Sequence, residues 1–251
     1  MKAITSNCIT QLFKNSAIPY TIPFVPKEII RNFKYLDVIT VFFVAFLLIS
    51  NVVASKILML GPLAIDGGGL LFPLTYIFGD ILTEVYGFKK TRKAIWLGLS
   101  ANVLMAAVFM IVGAMPPAAD WPNQDAYMAI LGLTPRIVLA SVTAYFIGEF
   151  INSFILAKLK ILTKGKLLWS RTISSTLIGQ ALDTLIFMFI AFYGILPWDL
   201  FLAVGFSGYL LKVAVEILFT PFTYLIINFL KKKEQVDHYD TETNFNPFAV
   251  K

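Results

Sequence analysis

Six long apolar stretches follow one another along the chain, and each is about as long as a membrane-spanning helix. A helix needs roughly 20 apolar residues to cross a hydrocarbon core of ~30 Å. The polar connections between the stretches are too short to hold a separate soluble module. The pattern predicts an all-α integral membrane protein with six transmembrane helices, at Leu36–Ile57, Leu70–Phe88, Ala94–Met115, Ile137–Ala157, Thr172–Ile195 and Leu200–Leu230.

Composition supports a membrane protein, and the distribution of charge orients it. Hydrophobic residues make up 58% of the chain and charged residues 14%, against about 25% charged residues in a soluble domain. All 21 Lys and Arg residues except Lys56, Arg136 and Lys212 lie in the two tails or in the second and fourth connections. Because basic residues near helix ends stay in the cytoplasm, both termini are predicted to be cytoplasmic. The net charge of +6 is therefore a topology signal, and no nucleic-acid partner is expected.

Three segments are expected from this pattern. Residues 1–34 form a cytoplasmic N-terminal tail, residues 35–230 a six-helix transmembrane domain surrounded by lipid, and residues 231–251 a cytoplasmic C-terminal tail. The N-terminal tail has no continuous apolar core, so it is not expected to be a cleavable signal peptide. It contains the single cysteine, Cys8, so no disulfide within the chain is expected.

Ionisable side chains interrupt four of the apolar stretches, although a buried carboxylate costs several kcal/mol unless a partner compensates it. Because polar groups cannot face lipid, these side chains are expected to point inward. Lys212 and Glu216 are four residues apart and can form a clamp on one helix face. One lysine cannot neutralise five carboxylates, however, and the pattern favours a ligand or coupling-ion site near the midplane. The residues are Asp80, Glu84, Glu149, Asp183, Lys212 and Glu216, with the neutral Asn51, Asn102, Asn152 and Gln180.

Motifs of membrane enzymes are incomplete in this sequence. The Gly165-Lys166 pair lacks the Ser or Thr that follows in a P-loop. Gly205–Gly208 has the GxSG pattern of rhomboid proteases, but the only histidine, His238, follows the last stretch, so Ser207 has no base within the membrane. No His or Cys lies in the apolar stretches, so neither a metal site nor a cofactor is expected.

The second apolar stretch contains the most specific motif. FPLTY at Phe72–Tyr76, followed by GDILTEVYG at Gly79–Gly87, resembles the signature of the queuosine precursor transporter family, also called the vitamin uptake transporter family. The likeness covers about Leu36 to Leu230. Later residues are similar to that family's other motifs, namely Glu149 with Asn152, Arg171 with Ser174, Ser175, Gln180 and Asp183, and Lys212 with Glu216 and Pro221.

The resemblance implies a transporter rather than an enzyme. Its expected activity is import of 7-cyano-7-deazaguanine or the aminomethyl analogue across the bacterial inner membrane. Its expected architecture is similar to that of the substrate-binding subunits of energy-coupling-factor transporters. Under this interpretation residues 35–230 are the transport domain.

A deazaguanine substrate agrees with the chemistry of the buried residues. Its ring N–H and exocyclic amine are parallel donors that one carboxylate can accept together. Its flat face requires aromatic neighbours, for which the apolar stretches offer Tyr76, Trp96, Tyr145, Phe187 and Tyr209. The expected substrate-binding residues are Asp80, Glu84, Glu149, Asn152, Gln180, Asp183, Lys212, Glu216, Tyr76 and Trp96.

Two alternatives to an independent importer stay open at the level of sequence. One is a binding subunit that depends on separate ATPase and scaffold chains. The other is a structural membrane protein whose buried charges clamp helices together. The energy source, a homo-oligomeric state, the preference between the cyano and aminomethyl compounds, and the carboxylate that contacts ligand are also left open.

Overall fold

The described part of the chain is a set of helices interrupted by one short β-hairpin. The computed structural model describes residues 33–53, 55–60, 63–132, 135–194 and 197–249, so the predicted N-terminal tail with Cys8 lies outside the described residues. The elements are α1 (Leu36–Val53), β1 (Ile57–Leu60), β2 (Leu63–Asp66), α2 (Gly68–Tyr86), α3 (Phe88–Ala114), α4 (Gln124–Leu131), α5 (Pro135–Leu162), α6 (Leu168–Phe192) and α7 (Trp198–Glu234).

Five of these helices are long and apolar enough to cross a membrane, namely α1, α3, α5, α6 and α7. The remaining predicted span, Leu70–Phe88, corresponds to α2, whose 19 residues reach ~28 Å at about 1.5 Å per residue. Asp80 and Glu84 lower the hydropathy of α2, and it is not among the five. The helical membrane class is confirmed, whereas passage of α2 through the bilayer stays a prediction.

The helix ends differ from the sequence prediction in ways that local residues explain. Gly87 has φ +85°, a conformation that favours glycine, and it allows α3 to begin at Phe88 directly after α2. The basic run Lys89–Lys93 therefore lies in the first turns of α3 rather than in a connection. The hairpin and α4 were not predicted. The hairpin pairs Ile57 with Asp66 through Leu60 with Leu63, and it begins at Ile57, the last residue of the first predicted span.

Helix α2 lies at the centre of the helical packing, in contact with α1, α3, α5 and α7. Its neighbours α5 and α6 approach closely at two glycines, because a Cβ on either Gly148 or Gly179 would lie 3.0 Å from the carbonyl oxygen of the other. Small residues permit this close approach of membrane helices. The result is that polar residues of α5 and α6 lie side by side against α2.

The C-terminal residues after α7 pack against the start of α3. The Asp240 carboxylate accepts the Phe88 backbone N–H at 3.0 and 3.2 Å, which satisfies a free donor at a helix N-terminus. Burial raises the pKa of Asp240, but hydrogen bonds from His238, Thr243 and the Phe88 N–H outweigh this and hold the pKa below its ordinary value.

Two further contacts fix the same segment to α3. Arg92 donates to the carbonyl oxygens of Asn244 and Asn246 at 2.9 and 2.7 Å. The Trp96 indole N–H donates to the Pro247 carbonyl at 2.9 Å. The predicted C-terminal tail is therefore an ordered part of the fold, and its first residues, Lys231 to Glu234, are helical.

Candidate binding site

Seven buried or half-buried polar residues converge where α2, α5, α6 and α7 meet. We call this set the polar cluster. Among its members, the six other than Lys212 are at most 3% exposed. All seven belong to the predicted site. The polar cluster consists of Asp80 on α2, Glu149 and Asn152 on α5, Gln180 and Asp183 on α6, and Lys212 and Glu216 on α7.

Contacts between helices bring the α2 and α5 members of the polar cluster together. The Asn152 Nδ2 amide donates to Asp80 Oδ1 at 2.8 Å. The Glu149 carboxylate lies against the α2 backbone beside Asp80, because a Cβ added at Gly79 would lie 1.9 Å from Glu149 Oε1. Glycine at position 79 is therefore what allows the two carboxylates to approach each other.

The single ammonium of the polar cluster is paired across helices. Lys212 Nζ on α7 donates to Asp183 Oδ2 on α6 at 2.6 Å. It also lies 4.9 Å from the ring centroid of Phe72, a cation–π arrangement. The sequence suggested that Lys212 pairs with Glu216. The structure instead pairs Lys212 with Asp183.

Among the described residues, many polar atoms in and around the polar cluster are buried without a hydrogen-bond partner. Nearly all buried polar groups in native proteins are satisfied, and each one left unpaired costs about 1–3 kcal/mol. Most of the unpaired atoms are acceptors, so the groups that would satisfy them are donors. The atoms are Asp80 Oδ2, Glu149 Oε2, Asn152 Oδ1, both amide atoms of Gln180, both carboxylate oxygens of Glu216, and the hydroxyls of Tyr76, Tyr145, Thr176 and Thr184.

Aromatic rings adjoin the polar cluster on the α2 and α5 side. Tyr76 and Tyr145 are buried and meet edge to face with ring centroids 6.4 Å apart. Phe72 is 5.7 Å from Tyr145 and 5.9 Å from Tyr76, and it carries the Lys212 ammonium over its face. Sequence reasoning did not select Phe72 or Thr176, although each lies four residues before a predicted site residue, Tyr76 and Gln180.

Glu84 lies in a second set of charges, which we call the Glu84 ion cluster. It consists of Glu84, Lys160, Arg171, Lys231 and Asp237. Both guanidinium terminal nitrogens of Arg171 contact the Glu84 carboxylate, the second at 3.2 Å. Lys231 Nζ lies 2.6 Å and Lys160 Nζ 3.4 Å from Glu84 Oε1. Residues of four helices therefore meet at one buried carboxylate.

Asp237 joins the C-terminal segment to this ion cluster. It accepts hydrogen bonds from Lys160 at 2.5 Å and lies 2.9 Å from Lys231. Burial raises the pKa of Asp237, but the hydrogen bonds and charges of the two lysines hold it below its ordinary value. Lys160 also donates to the backbone carbonyl of Glu84 at 2.6 Å, so it binds both the backbone of α2 and the Glu84 side chain.

Trp96, the remaining predicted residue, contacts a different part of the fold. Its indole is 37% exposed and donates to Pro247, and its ring packs 5.4 Å from Phe146 and 5.7 Å from Phe248. The structure therefore brings Tyr76 to the polar cluster and places Trp96 against the C-terminal segment.

Comparison with known proteins identifies the family. A family model described as "Putative vitamin uptake transporter" matches residues 66–226, which include every member of the polar cluster. The chain belongs to this family. It is therefore a multi-pass inner-membrane transporter of the bacterial type and not an enzyme.

The chain is also similar to individual members of the family. It is 32% identical to the "Probable queuosine precursor transporter" of Bacillus subtilis over 176 residues, which are 70% of this chain and 77% of that protein. It is 26% identical to the "Queuosine precursor transporter" of Escherichia coli over 193 residues, 72% of this chain and 84% of that protein. No solved structure matches the chain.

Proposed function

We propose that the protein imports the queuosine precursors 7-cyano-7-deazaguanine and its aminomethyl analogue, and that it binds them in the polar cluster. The observation that carries this proposal is the concentration of buried, unpaired acceptors on four helices. A deazaguanine supplies the missing donors, since it has a ring amide N–H, an exocyclic amine and a pyrrole N–H. The names of the relatives from B. subtilis and E. coli support the same substrate class.

The pattern of free and occupied atoms suggests how the ligand is held. Glu149 has one free oxygen and a second that accepts only a long contact of 3.4 Å from Ser153, so it can take the paired ring N–H and amine. Asp80 Oδ2 accepts the pyrrole N–H, with Asn152 fixing the carboxylate. The unpaired Gln180 amide donates to the ring carbonyl. Tyr76 and Tyr145 pack against the flat ring.

The Glu84 ion cluster does not share this pattern, because its carboxylate already has three cationic partners. We assign Glu84 a role in holding α2, α5, α6 and α7 together rather than in contacting ligand. Trp96 in the same way supports the C-terminal segment.

The topology that we propose has six membrane helices, in which α2 crosses the membrane in addition to α1, α3, α5, α6 and α7, and both termini are in the cytoplasm. Its support is the length of α2 and the burial of most of its residues, together with its packing against helices that can span the membrane. This helix number is similar to that of energy-coupling-factor binding subunits.

Reporter fusions at Thr91, Gly165 and the C-terminus should report the cytoplasm, and fusions at Asp66 and Asn123 the exterior. An external location of the connection at Lys164 would contradict the six-helix topology.

Complementation in cells tests the substrate. In cells that cannot make queuosine precursors, the protein should restore queuosine in tRNA when cyano-deazaguanine is supplied at low concentration. Diffusion contributes little at low concentration, so the vector control should show no restoration. Equal restoration in the vector control, with the protein present in the membrane, would contradict the proposed substrate.

A further inference from the structure

Glu216 is the least compensated carboxylate of the polar cluster. Neither of its oxygens has a hydrogen-bond partner in the described part of the chain, and the residue is 1% exposed. The other three carboxylates each have a contact: Asp80 with Asn152 at 2.8 Å, Asp183 with Lys212 at 2.6 Å, and Glu149 with Ser153 at 3.4 Å. Glu216 therefore needs a partner other than the side chains that surround it.

The charges around Glu216 make its ionised form costly. Asp80 on α2 and Glu149 on α5 lie near enough to interact with it electrostatically, and both add negative charge. Lys212, one turn earlier on α7, is held by Asp183 on α6. Four carboxylates thus share one ammonium, and a buried carboxylate without a cation is more stable with a proton bound. Tyr76 and Tyr145 are further ionisable groups and lie near Glu149 and Asp183.

The arrangement favours a proton over a shared metal ion. In the residues that the structure describes, no three Asp, Glu, His or Cys side chains converge as the ligands of one metal ion would. A proton needs only a single carboxylate, and it converts Glu216 into a neutral hydrogen-bond donor. The unpaired acceptors nearby can accept that donor.

We propose that Glu216 is the coupling-proton site of the transporter and that each imported precursor enters together with one proton. This inference rests on the proposed import of deazaguanines. External hydronium gives a proton to the Glu216 carboxylate, and the site then binds ligand with one negative charge fewer. After the site opens to the cytoplasm, the carboxyl O–H bond breaks and cytoplasmic water takes the proton. The carboxylate then returns, and no oxidation or reduction is involved.

The test uses the purified full chain in liposomes with an acidic exterior and a lumenal pH dye. Cyano-deazaguanine should enter wild-type liposomes with acidification of the lumen, and for one proton per neutral substrate it should accumulate about tenfold per pH unit. Glu216→Gln can neither take up nor release a proton, so accumulation driven by the pH gradient and acidification of the lumen should both be lost. Asp199→Asn, an exposed carboxylate at the start of the same helix, should behave as wild type.

The outcomes separate this inference from the proposed function. Wild-type uptake without lumenal acidification, uptake driven only by a sodium gradient, or gradient-driven accumulation by Glu216→Gln would each overturn the proton site. Where Glu216→Gln fails to fold, wild-type uptake without lumenal acidification still overturns the inference. Absence of both binding and exchange in the wild type would instead contradict the deazaguanine import itself.

Discussion

Replacing Asp80 by Asn should lower deazaguanine uptake per folded molecule by roughly 10- to 100-fold, the equivalent of about 1.5–3 kcal/mol for a hydrogen bond to a charged group. The Asn side chain keeps the shape of Asp80 and one oxygen that accepts the Asn152 amide, so folding is retained. It replaces the free Oδ2 acceptor by an N–H₂ donor. The ligand then loses an acceptor that no neighbouring group replaces.

The measurement is initial uptake divided by the amount of monodisperse protein in detergent. Asp199→Asn makes the same chemical change on an exposed surface and should transport as the wild type does. A well-folded Asp80→Asn protein with wild-type transport would remove Asp80 from the site and leave it a structural residue.

Replacing Glu84 by Gln should have the opposite effect to Asp80→Asn. We expect a large loss of folded protein and a small change in uptake by the molecules that fold. The substitution leaves Arg171, Lys160 and Lys231 without their shared anion. Breaking a buried ion pair by removing one partner costs about 3–5 kcal/mol, which is a large part of the roughly 5–15 kcal/mol by which native proteins are stable. We therefore expect a lower thermal midpoint and less monodisperse protein.

The control for this prediction is Glu242→Gln, which removes an exposed carboxylate of the C-terminal segment. It should leave the thermal midpoint unchanged within experimental error, since surface charges contribute little. A Glu84→Gln protein with wild-type stability and no uptake would return Glu84 to the substrate site.

Hydropathy and helical periodicity predicted that the carboxylates of the polar cluster are buried, but the same reasoning also selected Glu84, which lies in the Glu84 ion cluster. A carboxylate inside an apolar helix can only point inward, and this holds for Asp80, Glu149, Asp183 and Glu216 without knowledge of the fold. The spacing of Glu149 and Asn152 likewise placed both on one face. These inferences depend only on the immediate sequence and on the solvent.

The partners across helices could not be predicted in the same way. Spacing along one helix places Lys212 near Glu216, but the structure pairs Lys212 with Asp183 because α6 brings that carboxylate closer. The partner of Glu84 could not be predicted for the same reason, since Arg171 is 87 residues away along the chain. The role of the C-terminal segment was also missed, because the bond from Phe88 to Asp240 depends on how α3 and the segment pack.

The most direct test of the account is uptake of radiolabelled cyano-deazaguanine by the purified protein alone, reconstituted in liposomes. The account predicts saturable uptake, inhibition by the aminomethyl analogue, and loss of uptake in Asp80→Asn liposomes that contain the same amount of folded protein. An independent importer needs no separate ATPase or scaffold chain for this result. Monodisperse wild-type protein that neither binds the compound nor carries it faster than protein-free liposomes would contradict the account.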